Sequence, residues 1–91
     1  MNVLSDRNRR AAHGKHRCGY CREPIAYGEV YNDCRCADNG TAWTWRSHLR
    51  CLAFLREVVD PYDWEDGIDA VSFVDYVADN TDAARRHGVL T

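Results

Sequence analysis

The period of apolar and polar positions changes along the chain, and it is shortest in the middle. Residues 29–36 and 41–46 mix β-branched and aromatic residues with polar ones on either side of the turn signal Asp-Asn-Gly. This pattern predicts a β-hairpin closed by a two-residue type I′ turn. Pairing across that turn places four side chains on one face as two opposed pairs, Cys34 with Trp45 and Cys36 with Trp43. We expect this face to be covered by other parts of the chain.

A helical period follows the hairpin. One apolar stripe recurs at the spacing of a helix and has two further residues beside it: Leu52, Leu55 and Val59, flanked by Cys51 and Val58. This spacing predicts a helix over residues 48–59, with Ser47 as its N-cap and Pro61 just beyond its end.

Shorter segments flank these two elements. Residues 5–12 begin with a serine suited to an N-cap and contain helix formers, which predicts a short helix. The stretch YDWEDG at 62–67 predicts a turn. Residues 68–78 are apolar almost all round except for one polar stripe, so we predict a second, nearly buried helix there. Thr81 is expected to cap a final helical turn that Gly88 ends.

The chain is short enough to need stabilisation beyond its core. Its 91 residues fit a single α+β domain, and a domain of this size buries only about 60–65% of the surface of its unfolded chain. We divide this domain, residues 1–91, into a basic N-terminal segment (1–16), a central unit (17–60) and an acidic helical extension (61–91).

The net charge of −2 conceals a strong asymmetry. Residues 1–56 carry ten basic and five acidic residues, whereas residues 57–91 carry two basic and nine acidic ones. This division suggests a cationic face that suits phosphate and an anionic segment that avoids it. Two solvated faces of one domain would give the same totals, so both interpretations stay open.

Five cysteines are the main candidates for chemistry. No apolar run of signal-peptide length opens the chain, so we expect a cytoplasmic protein, in which thiols stay reduced. An odd number of cysteines also cannot pair completely within one chain. Metal ligation is therefore the leading interpretation.

Two local pairs of residues have the spacing of a zinc site. Cys18 and Cys21 form a CxxC motif, and His48 and Cys51 follow 26 residues later as HxxC. Residues at i and i+3 on the first turn of a helix project to the same side, and that end of a helix favours a thiolate. Zinc takes four tetrahedral thiolate or imidazole ligands. We therefore predict that these four residues bind Zn²⁺ and that the hairpin closes the loop between the two pairs.

Other ligand sets compete with this one. Cys34 and Cys36 form a CxC motif that would complete an all-cysteine site with the CxxC motif, as in a zinc ribbon. Both are expected on the hairpin face that carries the tryptophans, where a free cysteine packs as a small apolar residue. His13 and His16 form an HxxH motif upstream, for which exposed histidines are the default interpretation.

The stretches CGYCREPIAYGEVY and WTWRSHLRCLAFL together resemble a treble-clef zinc finger, in which knuckle, hairpin and helix follow in that order. Within that group the pattern is most similar to the PARP-type zinc finger, with five residues matching in order: Ile25, Gly28, Trp45, His48 and Cys51. The resemblance covers residues 17–60. It implies a small zinc-stabilised treble clef, here with appended C-terminal helices, and a role in recognising DNA ends and breaks. The acidic tail departs from that pattern.

The composition of the predicted ligand set argues against catalysis. Three thiolates and one imidazole describe a closed structural centre, whereas a catalytic zinc usually keeps an open position for water. HNH nucleases use a similar frame but need a histidine base on the hairpin, and residues 22–47 contain no histidine. We expect a non-enzymatic module, with an HNH-like nuclease relative as the least favoured alternative.

Two surfaces are candidates for contact with partners. Eight basic residues are candidates for contact with nucleic acid: Arg7, Arg9, Arg10, Lys15, Arg17, Arg22, Arg46 and Arg50. In the acidic extension, Tyr62 and Trp64 are candidates for contact with a protein, because aromatic anchors ringed by charge suit interfaces. We expect a small regulatory or adaptor protein that acts through protein–protein contacts, with nucleic-acid binding as the alternative. Neither a membrane nor a small-molecule substrate is expected as a partner.

Overall fold

The computed structural model describes residues 2–11, 15–64 and 67–90. Within these ranges, three antiparallel strands form one sheet in the order β1-β2-β3, and helices follow it in the chain. The elements are β1 (Asn2–Arg10), β2 (Val30–Asp38), β3 (Thr41–His48), α1 (Leu49–Val58), α2 (Pro61–Trp64), α3 (Ala70–Asp79) and α4 (Thr81–Arg86). The protein is therefore a small α+β fold, as its sequence predicted.

The predicted hairpin is confirmed as β2 and β3. The two turn residues, Asn39 and Gly40, have positive φ angles of 49° and 81°, as a type I′ turn requires. Cys34 is paired with Trp45 and Cys36 with Trp43. The face that these residues share is covered only in part, because Cys36 is buried whereas Trp43 is 37% exposed.

The helix predicted over residues 5–12 is wrong. Residues 2–10 form the strand β1 instead, and residue 12 lies outside the described part of the chain. The segment runs antiparallel to β2 and pairs Arg7 with Asp33. Side chains reinforce this pairing, since Asn32 Nδ2 donates to Asp6 Oδ1 at 2.7 Å. Helix propensity in a polar stretch is a small preference, whereas pairing satisfies the backbone groups along the edge of β2. Tertiary pairing therefore decides the structure here.

The helix α1 is confirmed, with two corrections. Its N-cap is His48, which has extended backbone angles. Ser47, predicted as the cap, is instead the buried penultimate residue of β3, and its Oγ has no hydrogen-bond partner among the described residues. The buried face of α1 is centred on Phe54 and Leu55, both fully buried, although the predicted stripe omitted Phe54.

The helix α3 is less buried than its composition predicted. Phe73 is its only fully buried residue among those described, while Val71 and Val74 are 73% and 64% exposed. The helix begins at Ala70, because the Asp69 carboxylate accepts a hydrogen bond from Ser72 N at 2.8 Å and so caps it. Among the described residues, α3 packs against α1, α4 and the loop that carries the CxxC motif, and these cover one side of it.

The other C-terminal predictions are corrected in detail. The turn predicted over 62–67 contains part of the single helical turn α2, and Glu65 and Asp66 lie outside the described residues. Thr81 is the first residue of α4, not its cap; Asn80 takes that position.

The end of α4 at Gly88 is as predicted. Gly88 has a φ of 75°. Its N–H donates to Arg85 O at 3.1 Å, and Val89 N donates to Ala84 O at 2.8 Å. These two bonds form a Schellman motif, which satisfies carbonyl groups at the end of the helix.

Two groups of buried residues form the core. The larger joins the CxxC segment to the helices and comprises Cys18, Tyr20, Cys51, Phe54, Leu55, Val59, Phe73, Ala83 and Ala84. The smaller comprises Ala11, Ile25 and Tyr31. Within the described ranges, no helix has the length and apolar character needed to span a membrane.

Candidate metal centre

The first ligand pair lies in a tight loop, the knuckle, which we define as residues 17–24. An antiparallel bridge between Arg17 and Pro24 closes it. Cys18 N donates to Glu23 O at 3.0 Å, and Arg22 N donates to Cys18 O at 3.0 Å. Arg22 adopts a φ of 68°, the left-handed conformation that such a reversal needs. The two cysteines of the CxxC motif are thereby held on one short, hydrogen-bonded loop.

The knuckle is attached to β3 through Gly19. Its N–H donates to Arg46 O at 2.7 Å, and a Cβ at this position would lie 2.5 Å from the Trp45 ring. Tyr20 packs edge-on against the same ring, with 5.3 Å between centroids. Only glycine allows this close approach, which brings the knuckle to the junction of β3 and α1.

That junction supplies the second ligand pair. His48 ends β3 and is fully buried, and Cys51 lies on the first turn of α1, also buried. His48 Nδ1 lies 3.2 Å from Cys21 Sγ and 3.9 Å from Cys51 Sγ. The ligand atoms of Cys18, Cys21, His48 and Cys51 all lie within 4.8 Å of one another. This cluster could hold a metal ion.

The orientation of the His48 ring suits a metal ligand. Its Nε2 lies 3.0 Å from Pro24 O, and because a carbonyl only accepts hydrogen bonds, Nε2 carries the proton. The lone pair of Nδ1 therefore faces the thiols. Glu29 Oε1 lies 4.0 Å from the same Nε2 atom. Such outer contacts fix the tautomer and orientation of ligating histidines, and neither Pro24 nor Glu29 was singled out from the sequence.

The thiols of the cluster influence one another strongly. A hydrogen bond from Cys51 lowers the pKa of Cys18 to about 4, aided by the backbone N–H groups of Cys21, His48 and Tyr20 and opposed by burial. The same hydrogen bond raises the pKa of Cys51, and burial raises that of Cys21. Without a cation, one thiolate forms readily while its neighbours keep their protons. A bound cation would replace those protons, since metals bind the deprotonated forms.

No protein-family model, curated protein or solved structure matches the chain. The chemistry of the centre follows from its own donor atoms. Three sulfurs and one imidazole nitrogen form a set that suits borderline-soft and soft ions and does not suit magnesium or calcium, which prefer oxygen.

The other candidate ligands lie outside this cluster. The Sγ atoms of Cys34 and Cys36 are 3.5 Å apart on the hairpin face that carries the tryptophans, and neither belongs to the four-residue group. The all-cysteine set is therefore not assembled in the described structure. His13 lies outside the described residues, and the His16 ring lies 6.1 Å from that of Tyr31.

Three of the predicted basic residues share one face of the sheet. Arg7, Arg9 and Arg46 lie around the buried carboxylate of Asp33, which is 3.9 Å from both Arg9 Nη1 and Arg46 Nε. Arg35 lies on the same face by the alternation of β2. It was omitted from the sequence prediction because the face is recognisable only once residues 2–10 are placed as a strand.

The remaining predicted basic residues are not gathered with these. Local contacts hold three of them: Arg10 donates to Gly28 O, Arg17 donates to Arg22 O, and Arg50 pairs with Glu29. Lys15 and Arg22 are exposed.

The predicted protein-contact residues are only partly described. Tyr62 is 81% exposed on α2, while the side chain of Trp64 lies outside what the structure describes. The exposed valines of α3, Val71 and Val74, were not predicted as surface residues. A groove between α3 and the knuckle places these two valines beside Tyr20 and Cys21.

Proposed function

We propose that this chain is a structural-zinc module, a treble-clef zinc finger of PARP-like type with an acidic helical extension, and that it works without catalysis by binding another protein. The observation that carries the metal assignment is the four-atom ligand cluster with His48 Nδ1 turned into it and His48 Nε2 tied to Pro24 O. The order of knuckle, hairpin and helix supports the treble clef. The PARP-like subclass rests on the resemblance of residues 17–60.

The donor set favours zinc and a structural role. Zn²⁺ binds three thiolates and one imidazole as a tetrahedral centre, and four protein ligands leave no open position for water or substrate. Three of the four ligands are buried, which further separates the ion from solvent. The ion would supply cohesion, because it joins the knuckle to the start of α1.

Metal analysis of single-residue variants tests this assignment. We expect one zinc ion per chain in the purified protein, and loss of that ion in Cys18→Ala, Cys21→Ala, His48→Ala and Cys51→Ala. Cys34→Ala is the matched control, because it removes a thiol outside the cluster and should retain zinc. Retention of a full equivalent of zinc in Cys51→Ala would contradict the ligand set.

The protein-binding part of the proposal rests on α3. Val71 and Val74 are exposed side by side at helical spacing on the groove against the knuckle. Acidic residues flank them, Asp69 and Asp75 among them, within residues 57–91, which carry nine acidic and two basic residues. An apolar strip within an acidic surface suits a partner segment with apolar anchors and a basic rim. We infer a cationic amphipathic helix as the chemistry of that partner.

A defined peptide probe tests this surface. The zinc-loaded protein should bind a synthetic lysine- and leucine-rich amphipathic helix in a fluorescence titration. The Val71→Ser/Val74→Ser variant should bind it much more weakly. Leu4→Ser, which removes a similarly exposed apolar side chain from β1, should leave binding unchanged. Equal loss in both variants, or no binding by the unaltered protein, would contradict the proposal.

Nucleic-acid binding is a second candidate, favoured by the arginines gathered around Asp33 on one face of the sheet. Arg7 and Arg35 are exposed there, and arginines on one face can contact successive phosphates. A polarisation titration with a DNA duplex at two salt concentrations tests this function. We expect affinity that falls steeply with salt and weakens in Arg7→Ala/Arg35→Ala, but not in Arg85→Ala on α4. Absence of binding at low salt would remove this candidate.

A further inference from the structure

A second pair of thiols lies outside the four-residue cluster and lines a cleft. Cys34 and Cys36 project from one face of β2, with their Sγ atoms 3.5 Å apart. The cleft beside them has a volume of about 590 Å³ and is also lined by Trp43, Trp45 and Leu52. Simple core packing would bury both thiols under side chains, whereas here the face is left partly open.

A disulfide is a poor use of this pair. Residues i and i+2 of an extended strand have Cα atoms about 6.6 Å apart, which is near the upper limit of about 6.8 Å for disulfides and above their commonest separation of about 5.5–6 Å. Both cysteines are paired within the antiparallel ladder, Cys36 with Val3 and Trp43. Drawing their backbones together would disturb that ladder.

Cys34 is also a poor nucleophile. Burial, followed by the hydrogen bond with Cys36, raises the pKa of Cys34 to about 12. At neutral pH this thiol is therefore protonated, and the thiolate is the form that attacks electrophiles. Only a ligand that displaces the protons by bonding to sulfur would occupy the pair.

The number of donors selects the ligand. Among the described residues, the one group of three or more metal-binding side chains is the four-residue centre, so no third histidine, cysteine or carboxylate joins Cys34 and Cys36 at comparable spacing. Zinc prefers four ligands, whereas a soft monovalent ion such as Cu(I) favours thiolates.

We propose that Cys34 and Cys36 form a second metal site, separate from the four-ligand centre, that binds one Cu(I) ion between two thiolates. The binding step forms two Cu–S bonds and breaks two S–H bonds, with both protons released to solvent and no change of oxidation state. The nearby indole rings of Trp43 and Trp45 provide an optical report of occupancy. This site is independent of the proposed zinc and partner-binding functions.

Anaerobic titration of the zinc-loaded protein tests the site. Cu(I) is presented by a chromophoric chelator, whose loss of absorbance counts the ion transferred, and a zinc-responsive dye records any zinc released. We expect one Cu(I) taken up per chain with no zinc release and with quenching of tryptophan fluorescence. Uptake that is matched by zinc release would place copper in the four-ligand centre and overturn the proposal.

Variants decide which sulfurs are used. Cys34→Ser and Cys36→Ala should each abolish uptake of the single Cu(I), because one remaining thiolate is a much weaker ligand than two. Ala37→Ser, on the next position of β2, is the control and should bind as the unaltered protein does. If the buried Cys36 proves necessary for folding, Cys34→Ser decides alone, since Cys34 is partly exposed at the cleft. Undiminished uptake in Cys34→Ser would overturn the proposal.

Discussion

Two regions of this molecule are expected to hold together by different means. The metal half, residues 17–60, contains the knuckle, the hairpin and α1, and its ligand residues Cys18 and Cys51 are themselves core residues. The extension, described over residues 61–64 and 67–90, packs on α1 through the buried side chains of Phe73, Ala83 and Ala84. Coordination bonds would stabilise the first, and apolar contact stabilises the second.

The proposed metal centre would explain how so short a chain can fold. A small domain buries too little surface for packing alone to leave a wide margin, and a region built around an ion would not need a large core. The extension then gains a preformed surface, α1 and the knuckle, on which to pack. Phe73 illustrates this dependence, since it contacts Phe54 on α1 and Tyr20 in the knuckle, at ring distances of 5.8 and 5.6 Å.

Removal of the ion should therefore have the largest effect on stability, and it should affect both regions. In excess chelator we expect loss of cooperative unfolding in both regions, because structural zinc contributes on the order of 10–16 kcal/mol in small zinc-binding peptides at neutral pH. Circular dichroism and tryptophan fluorescence should report the loss together. Restored unfolding after zinc addition is the control. An unchanged melting temperature in chelator would show that packing suffices for both regions.

Truncation of Phe73 should affect the extension more than the metal half. We expect Phe73→Ala to lower the free energy of unfolding by about 3–5 kcal/mol, as for other buried phenylalanines, while the protein still binds one zinc. Val71→Ala, at the exposed position two residues earlier, serves as the control and should cost little. Chemical denaturation with metal analysis measures both quantities. Equal costs for the two variants would contradict the packing described for α3.

Gly19→Ala should weaken the attachment of the knuckle by a smaller amount. The added Cβ would overlap the Trp45 ring, and overpacking of this kind costs about 1–3 kcal/mol. Because the clash involves one side chain, Trp45→Phe should relieve part of it in the double variant. Denaturation of the two single variants and the double variant measures that coupling. Strict additivity would indicate that the knuckle is not seated on Trp45.

The smallest expected effect concerns the ion pair that joins α1 to α4. Hydrogen bonds from Arg86 lower the pKa of Glu57, with Nη2 to Oε2 at 2.7 Å. A lowered folded-state pKa means that the pair stabilises the protein above the ordinary pKa of a glutamate and loses this contribution as the pH falls through the folded value. Glu57→Gln should therefore be slightly less stable than the unaltered protein at pH 7 and equal to it in strong acid. A stability difference that persists in acid would assign Glu57 another role.

The sequence predicted those parts of the fold that depend on local signals. The Asn-Gly turn, the period of α1 and the spacing of the CxxC and HxxC motifs each identify an element within a few residues. By contrast, β1 depends on pairing with a strand whose residues lie 20 to 35 positions further along the chain, so its own polar residues carry no decisive signal. The exposure of Val71 and Val74 likewise depends on how few elements are left to cover α3.

The candidate metal centre shows the same division. Its four ligand residues could be predicted because two short motifs contain them. The contact from His48 Nε2 to Pro24 O could not, since a backbone carbonyl has no identity in the sequence and its direction follows from the knuckle. The separation of Cys34 and Cys36 from the cluster followed from the predicted hairpin register, which the structure confirms.

The central claim is that one ion joins the knuckle to the start of α1 through three sulfurs and one imidazole. X-ray absorption at the zinc edge of the purified, zinc-loaded protein counts those ligands directly. We predict a first shell of three sulfur atoms at about 2.3 Å and one nitrogen at about 2.0 Å. A shell of four sulfurs would bring Cys34 or Cys36 into the site, and a shell of oxygen and nitrogen alone would remove the thiolates from it; either result would contradict the account.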